Sequence, residues 1–417
     1  MRTRILAVTV MLSVGAAGLL TVFAPEEAAA IPAFSRQTGK SCSTCHSAFP
    51  KLNQTGQNFR TNGFRFPEDG EWNEVQDLKH VPLSMEIEVE AEFEKEDGDS
   101  QKSIMHIDEV ELLAGTPLGK NGVFSAYSVL SFSQGEVAVG QAYGQVNDLI
   151  GETGHGLLNA KVGQFEISLP FLSSTQRVIK NRYFAQEFMG IVGSNRGNNT
   201  LGNETEHETA EIYNSAVELN GQIVGKEAKD LTHRFYVGAF QPRALNDGNK
   251  LGWPGLYAMY AVNFLENFNL GAIYKRDVVN SGALDPFTPN DKKGVNKWGV
   301  SGDAKIGPFI ATLGYFRSDG LPSDVSGTTY PGIDKSIQNY MAEVLFIPNK
   351  TWLVGGRFDH IDQESYQSSS RTTVMGRYNI LPSVYIQAEW RVQDGGGAGS
   401  SSGTDTLNGR AFLVALF

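Results

Sequence analysis

Met85-Glu86-Ile87-Glu88-Val89-Glu90-Ala91-Glu92-Phe93-Glu94 alternates apolar and acidic side chains without a break. In an extended chain successive side chains point to opposite faces, so the apolar groups share one side and the glutamates the other. A soluble sandwich could turn the acidic side to water. A membrane barrel would turn the apolar side to lipid and the glutamates to a wet lumen. The segments that accompany this strand decide between the two.

Sixteen strands are predicted, near 84–96, 103–116, 122–133, 136–147, 156–167, 211–224, 232–242, 255–265, 268–279, 296–306, 308–318, 336–348, 351–362, 371–380, 383–393 and 408–417. An even number is what a single-chain bacterial barrel requires. The connections give an independent test. Those after even-numbered strands are short, as at Gly307-Pro308, Pro348-Asn349-Lys350 and Leu381-Pro382-Ser383, whereas several after odd-numbered strands are long: 168–210, 243–254, 280–295, 319–335 and 394–407. Short periplasmic turns alternating with long outer loops fit a barrel with both termini in the periplasm. The second outer loop is too short for the pattern, and the turns at 148–155 and 225–231 are long for it. The last strand puts Ala411, Leu413, Ala415 and Phe417 on one face, and its terminal aromatic resembles the assembly signal of outer-membrane proteins. Closure removes the unpaired strand edges that lipid would not satisfy.

The expected fold is therefore mainly β, a 16-stranded antiparallel outer-membrane β-barrel over 81–417. Ahead of it the texture changes. Residues 1–30 read as a signal peptide: Arg2 and Arg4 precede an apolar run from Ile5 to Phe23, and Ala28-Ala29-Ala30 offers a cleavage site. An uncleaved anchor is the competing reading of that run. Its removal takes away two cations and two anions (Glu26, Glu27), so the net charge stays at −11, which argues against nucleic acid as a partner. Residues 31–80 form a small, helically patterned head that holds both cysteines of the chain. Two cysteines this close together rule out a disulfide scaffold.

Cys42-Ser43-Thr44-Cys45-His46 matches C-x-x-C-H, the attachment pattern of a c-type haem. Two thiols at this spacing can form thioethers with the porphyrin vinyl groups, and His46 can then ligate the iron. A thioredoxin-type redox pair would need a βαβ context that is missing here, and structural zinc would need further Cys or His nearby. Export suits a covalent haem, because bacterial attachment happens outside the cytoplasm. The sixth ligand stays open, with His80, Met85, Met105 and His106 the nearest downstream candidates; the remaining histidines, His155, His207, His233 and His360, are scattered.

Around this motif stand Pro32-Ala33-Phe34-Ser35-Arg36-Gln37-Thr38-Gly39 before it, and Phe49-Pro50-Lys51-Leu52-Asn53, Gly56, Phe59 and Asn62-Gly63-Phe64 after it. Over residues 32–64 the chain resembles the fused monohaem cytochrome–porin family of bacterial outer membranes. The rest agrees with that family in architecture only. The resemblance implies one covalent haem c on Cys42, Cys45 and His46, oxidation of extracellular Fe(II), and a soluble periplasmic cytochrome or similar carrier as electron acceptor. It carries over no Fe(II)-binding residue. Candidates for an Fe(II) path come from the residues themselves: the glutamate face Glu86, Glu88, Glu90, Glu92 and Glu94, and the loop patch Glu204, Glu206, His207, Glu208 and Glu211, with Asp359, His360 and Asp362 a further group. The plainer readings are a wetted inner wall and a solvated loop. Two functional alternatives remain: electron traffic with another donor or acceptor, and a diffusion porin whose haem head is structural or sensory.

Overall fold

The computed structural model describes residues 33–67, 82–96, 102–133, 136–187, 214–225, 230–241, 255–280, 292–319, 336–363, 368–394 and 406–417. The expected signal segment 1–30, His80 and the loop patch Glu204–Glu211 lie outside the described residues, as do most of the expected long loops.

In the head, α1 (Ala33–Thr38), α2 (Cys42–Cys45) and α3 (Gln54–Thr61) are separated by a small hairpin, β1 (His46–Ala48) against β2 (Lys51–Leu52). The hairpin breaks the expected helical pattern because Pro50 has no amide hydrogen to donate and cannot sit inside a continuing helix. The barrel follows as β3 (Leu83–Glu96), β4 (Lys102–Leu118), β5 (Phe124–Ser133), β6 (Glu136–Ile150), β7 (Leu158–Phe165), β8 (Asn214–Ile223), β9 (Thr232–Phe240) and β10 (Gly255–Phe264). The second half is β11 (Phe268–Asn280), β12 (Lys292–Ile306), β13 (Phe309–Asp319), β14 (Ser336–Phe346), β15 (Trp352–Gln363), β16 (Ser369–Leu381), β17 (Val384–Asp394) and β18 (Thr406–Leu416). These boundaries match the sixteen predicted strands to within four residues.

Every strand pairs antiparallel with its sequence neighbours, and β18 closes onto β3 with Ala411 opposite Ala91 and Leu416 opposite Glu86. The period-two pattern then sorts the side chains. Along β17, Ile386 and Val392 face outward, while Gln387, Glu389, Arg391 and Gln393 face inward and are buried. The glutamates of β3 face the lumen, and Leu413 and Phe417 of the last strand face outward, as expected. Such an inversion, apolar outside and polar inside, is what a membrane-spanning barrel requires.

The lumen is filled from two sources. After β7 the described residues 166–187 fold inward and place Ile167, Leu169, Phe171 and Phe184, with Phe165 of β7, against Tyr257, Met259, Phe316 and Met341 of the wall. Burying each of those phenylalanines is worth about 1.5–3 kcal/mol. The second source is the head. Arg65 donates to Asn121 O at 3.0 Å and pairs with Asp148 at 2.7 Å, while Asn62 Nδ2 donates to Gly154 O at 2.6 Å. Asn121 and Gly154 lie in the turns after β4 and β6, so the head occupies the same end of the barrel as the Gly307-Pro308 turn after β12.

Candidate functional site

The C-x-x-C-H segment sits on this head, and its geometry is built from local chemistry. Cys42 and Cys45 lie three residues apart on the single turn of α2, which puts them on one side of it. The turn ends at His46, whose backbone is extended (φ −115°, ψ 132°) and whose amide donates to Cys42 O. Asn53 then ties the next helix to this turn: its Oδ1 accepts from Gly56 N at 3.0 Å, and its Nδ2 donates to Thr44 O at 2.9 Å. Gly56 must be glycine here, because a Cβ would stand 2.3 Å from Cys45 O. Further along, Phe64 stacks on Phe34 with centroids 4.9 Å apart, and Phe34 meets Phe59 edge-on at 5.2 Å. Phe34, Phe59 and Phe64 pack into one aromatic cluster with Cys45 at its margin.

His46 Nδ1 lies 3.0 Å from Pro50 O. A carbonyl can only accept, so Nδ1 carries the proton and Nε2 keeps the free lone pair. Burial pulls the His46 pKa down to about 4, against the raising effect of the Pro50 hydrogen bond. The imidazole is therefore neutral at neutral pH, as a metal ligand must be. Burial raises both cysteine pKa values, Cys45 to about 11 with Cys42 adding to the rise and Lys40 opposing it. Two protonated, non-disulfide thiols beside an imidazole with a fixed tautomer fit the donor set of a covalent haem.

The barrel wall holds this hairpin in place. Arg377 of β16 donates to Phe49 O and to Val178 O, and its guanidinium lies 4.0 Å above the Tyr385 ring of β17. The Phe49 ring rests between His46 and Tyr385, with centroids at 5.2 and 6.5 Å. On the other side, Lys51 pairs with Asp303 at 3.1 Å. A cavity of about 410 Å³ begins at Ser47, the residue after His46, and reaches the turns around Asn267 and Lys305.

The predicted acidic face is present but not bare. Lys180, carried in by the loop, pairs with Glu88 and lies 3.9 Å from Glu86; Arg410 lies 3.1 Å from both Glu90 and Glu92. Among the proposed sixth ligands, Met105 is 77% exposed on the outer surface, and Met85 shares the face opposite the glutamates. Neither can reach into the lumen from there. His106 does face inward, opposite Glu90. The expected group Asp359, His360 and Asp362 is split by the pleat. Asp359 is buried inside on Arg357 at 2.7 Å, while His360 lies on the other face and bonds Ser370 Oγ at 2.9 Å. Sequence reasoning missed Lys180, because nothing local says that the loop carries it to β3. It also missed Glu109 and Glu111, which oppose Glu88 and Glu86 across the ladder.

Compared with solved structures, the chain is similar to the outer membrane channel DcaP of Acinetobacter baumannii (TM-score 0.56, 13% identity, covering 80% of this chain and 96% of that one). It is also similar to the Salmonella typhi OmpF complex with daunomycin (0.53, 10%, 80% and 97%) and to the anion-selective porin of Comamonas acidovorans (0.52, 9%, 81% and 99%). At these identities the likeness is one of fold, the porin-type barrel. No family model and no curated protein matches the chain.

Proposed function

We propose that the chain is an outer-membrane electron-transfer protein that oxidises extracellular Fe(II) through one covalent haem c and delivers the electrons to a soluble periplasmic carrier. The observation that carries this reading is the C-x-x-C-H turn seated inside a closed barrel, with His46 Nδ1 held by Pro50 O so that Nε2 is the free ligand atom. A haem c on Cys42, Cys45 and His46 supplies a one-electron couple; each Fe(II) outside loses one electron and a one-electron carrier, such as a soluble cytochrome, gains it.

The protein's own residues supply the rest. Phe49, Tyr385 and Arg377 fix the hairpin that aims His46, and the Phe34–Phe59–Phe64 cluster packs against Cys45. The cavity at Ser47 supports a hand-over on the short-turn side, which faces the periplasm in a bacterial barrel. Glu86, Glu88, Glu90, Glu92 and Glu94 would draw cations into the lumen. Fe(II) as donor follows from the family resemblance, and its test is direct: purified protein with oxidised haem should be reduced by Fe(II) at acidic to neutral pH. Failure of that reduction refutes the donor.

A second reading is a diffusion porin with a structural or sensory head, which the three fold neighbours favour. The head and the described part of the loop after β7, which both enter the lumen, favour the first reading. Bilayer conductance discriminates them, because a large open-channel current belongs to the porin alone.

A further inference from the structure

The β3–β4 wall carries a second cluster of ligand-type side chains, apart from the C-x-x-C-H turn. Glu90 on β3 stands opposite His106 on β4, and the ladder then slips so that Glu88 pairs with Glu109 and Asp108 is the extra residue. Strict alternation would have sent Glu109 and Glu111 outward with Met105 and Ile107. The bulge reverses the phase, and His106, Asp108, Glu109 and Glu111 all address the lumen side of the ladder. Bulges re-aim side chains in this way and are over-represented beside functional sites. Here the re-phasing has a cost, since it sets Glu109 opposite Glu88 and Glu111 opposite Glu86. Like charges facing each other across a ladder are destabilising, and Lys180, paired with Glu88 and 3.9 Å from Glu86, offsets part of that cost.

Ligand atoms of Glu90, His106 and Asp108 lie within 4.8 Å of one another. His106 Nε2 is 3.4 Å from Asp108 Oδ1, and its Nδ1 is buried without a hydrogen-bond partner among the described residues. Arg410, on the neighbouring strand β18, lies 3.1 Å from Glu90 Oε1. One imidazole and two carboxylates form a mixed nitrogen–oxygen set. Such a set suits Fe(II) or Zn(II), whereas Mg²⁺ and Ca²⁺ prefer oxygen alone. We infer that Glu90, His106 and Asp108 form an exchangeable site for a first-row divalent transition-metal ion on the lumen wall. Three protein ligands leave positions open for water, which favours exchange over permanent capture. Glu88, Glu92, Glu109 and Glu111 neighbour the site on the β3–β4 ladder, with Lys180 on Glu88 and Arg410 on Glu92, so the carboxylates outnumber the cations beside them.

The site lies well away from the head. Ala33 N donates to Ser84 Oγ at 2.7 Å, and Glu90 is further along β3, roughly 20 Å of extended chain from that contact. Its use as the station where Fe(II) binds rests on the function proposed above; metal binding itself does not. The test is a calorimetric Zn(II) titration of the full-length, haem-loaded protein in detergent, with heat-modifiable gel migration reporting barrel closure. His106→Gln and Asp108→Asn should each lose one Zn(II) site or bind it at least tenfold more weakly than wild type. Wild-type stoichiometry and affinity in both closed variants would overturn the site. Equal competition by Mg²⁺ would overturn its assignment to transition metals. Reduction of the haem by Fe(II), read in the same preparations, addresses the donor separately: wild-type protein that binds Zn(II) but is not reduced refutes Fe(II) oxidation and leaves the site standing.

Discussion

Replacing Gly56 with alanine sets two known effects against each other. In an exposed helix interior, Gly→Ala stabilises by about 1 kcal/mol through backbone entropy. In α3 the added methyl would stand 2.3 Å from Cys45 O, 3.1 Å from Cys45 C and 2.7 Å from Leu52 Cδ2. Two of those three atoms belong to the backbone of the C-x-x-C-H turn, so rotamer changes cannot relieve the contact. α3 would have to withdraw from α2 by about 1 Å, stretching the Asn53 bonds to Gly56 N and Thr44 O (3.0 and 2.9 Å). Overpacking of this kind costs about 1–3 kcal/mol, and losing a cap such as Asn53 about 1 kcal/mol. Net of the helix gain, Gly56→Ala should destabilise the head locally by about 1–3 kcal/mol, with the barrel intact. Amide hydrogen exchange over residues 42–61 should quicken by roughly 5- to 140-fold at about 1.4 kcal/mol per tenfold, with no change in the strands. Gly39 is the control: its φ is +69° and nothing lies within 4 Å of an added Cβ. Gly39→Ala should therefore show only the left-handed penalty of about 1–2 kcal/mol, confined to the end of α1. Unchanged or slower exchange around Cys45 in Gly56→Ala would refute the close approach of α3 to the C-x-x-C-H turn.

Changing both Cys42 and Cys45 to serine should abolish haem that survives a denaturing gel, while heat-modifiable migration of the barrel persists; haem stain remaining on the band would contradict covalent attachment there. In that haem-free variant the low pKa of His46, about 4 against 6.5 unfolded, means the unfolded head binds a proton first as pH falls. Head protection factors, corrected for intrinsic exchange, should be full above pH ~6.5 and decline steadily toward pH ~4, and protection factors flat across that window would exclude a buried neutral His46. Arg357→Leu removes the partner of Asp359 (2.7 Å) and the donor to Asn181 O and Arg182 O (both 2.8 Å). Leaving a buried carboxylate uncompensated costs about 3–5 kcal/mol, so the inward loop should become protease-sensitive between residues 166 and 187, and resistance equal to wild type would count against its anchoring by the wall.

Much of the scaffold was legible in the sequence, because the signals that specify it are short-range. Alternation along Met85–Glu94 and the parity of short and long connections suffice for sixteen strands and closure, and the pleat alone dictates that glutamates and leucines part to opposite faces. The C-x-x-C-H turn, the Asn53 cap and the need for Gly56 are equally local. Three decisions were made elsewhere in the chain. The phase of β4 flips at Asp108 because its ladder to β3 slips by one residue, which no count along β4 foretells. Lys180 reaches Glu88 only because a loop folds back across the lumen. The apparent trio Asp359, His360 and Asp362 fails because the same pleat that builds the wall sends His360 to the far side.

The sequence by itself thus determined what each strand is and where the C-x-x-C-H motif stands, since period and motif spacing survive in any conformation. Only the tertiary structure decided what the lumen contains and which charges meet inside it. Those contacts join residues as far apart as Arg377 and Phe49 or Lys180 and Glu88, and they exist only once sixteen strands have closed and enclosed the head and the loop.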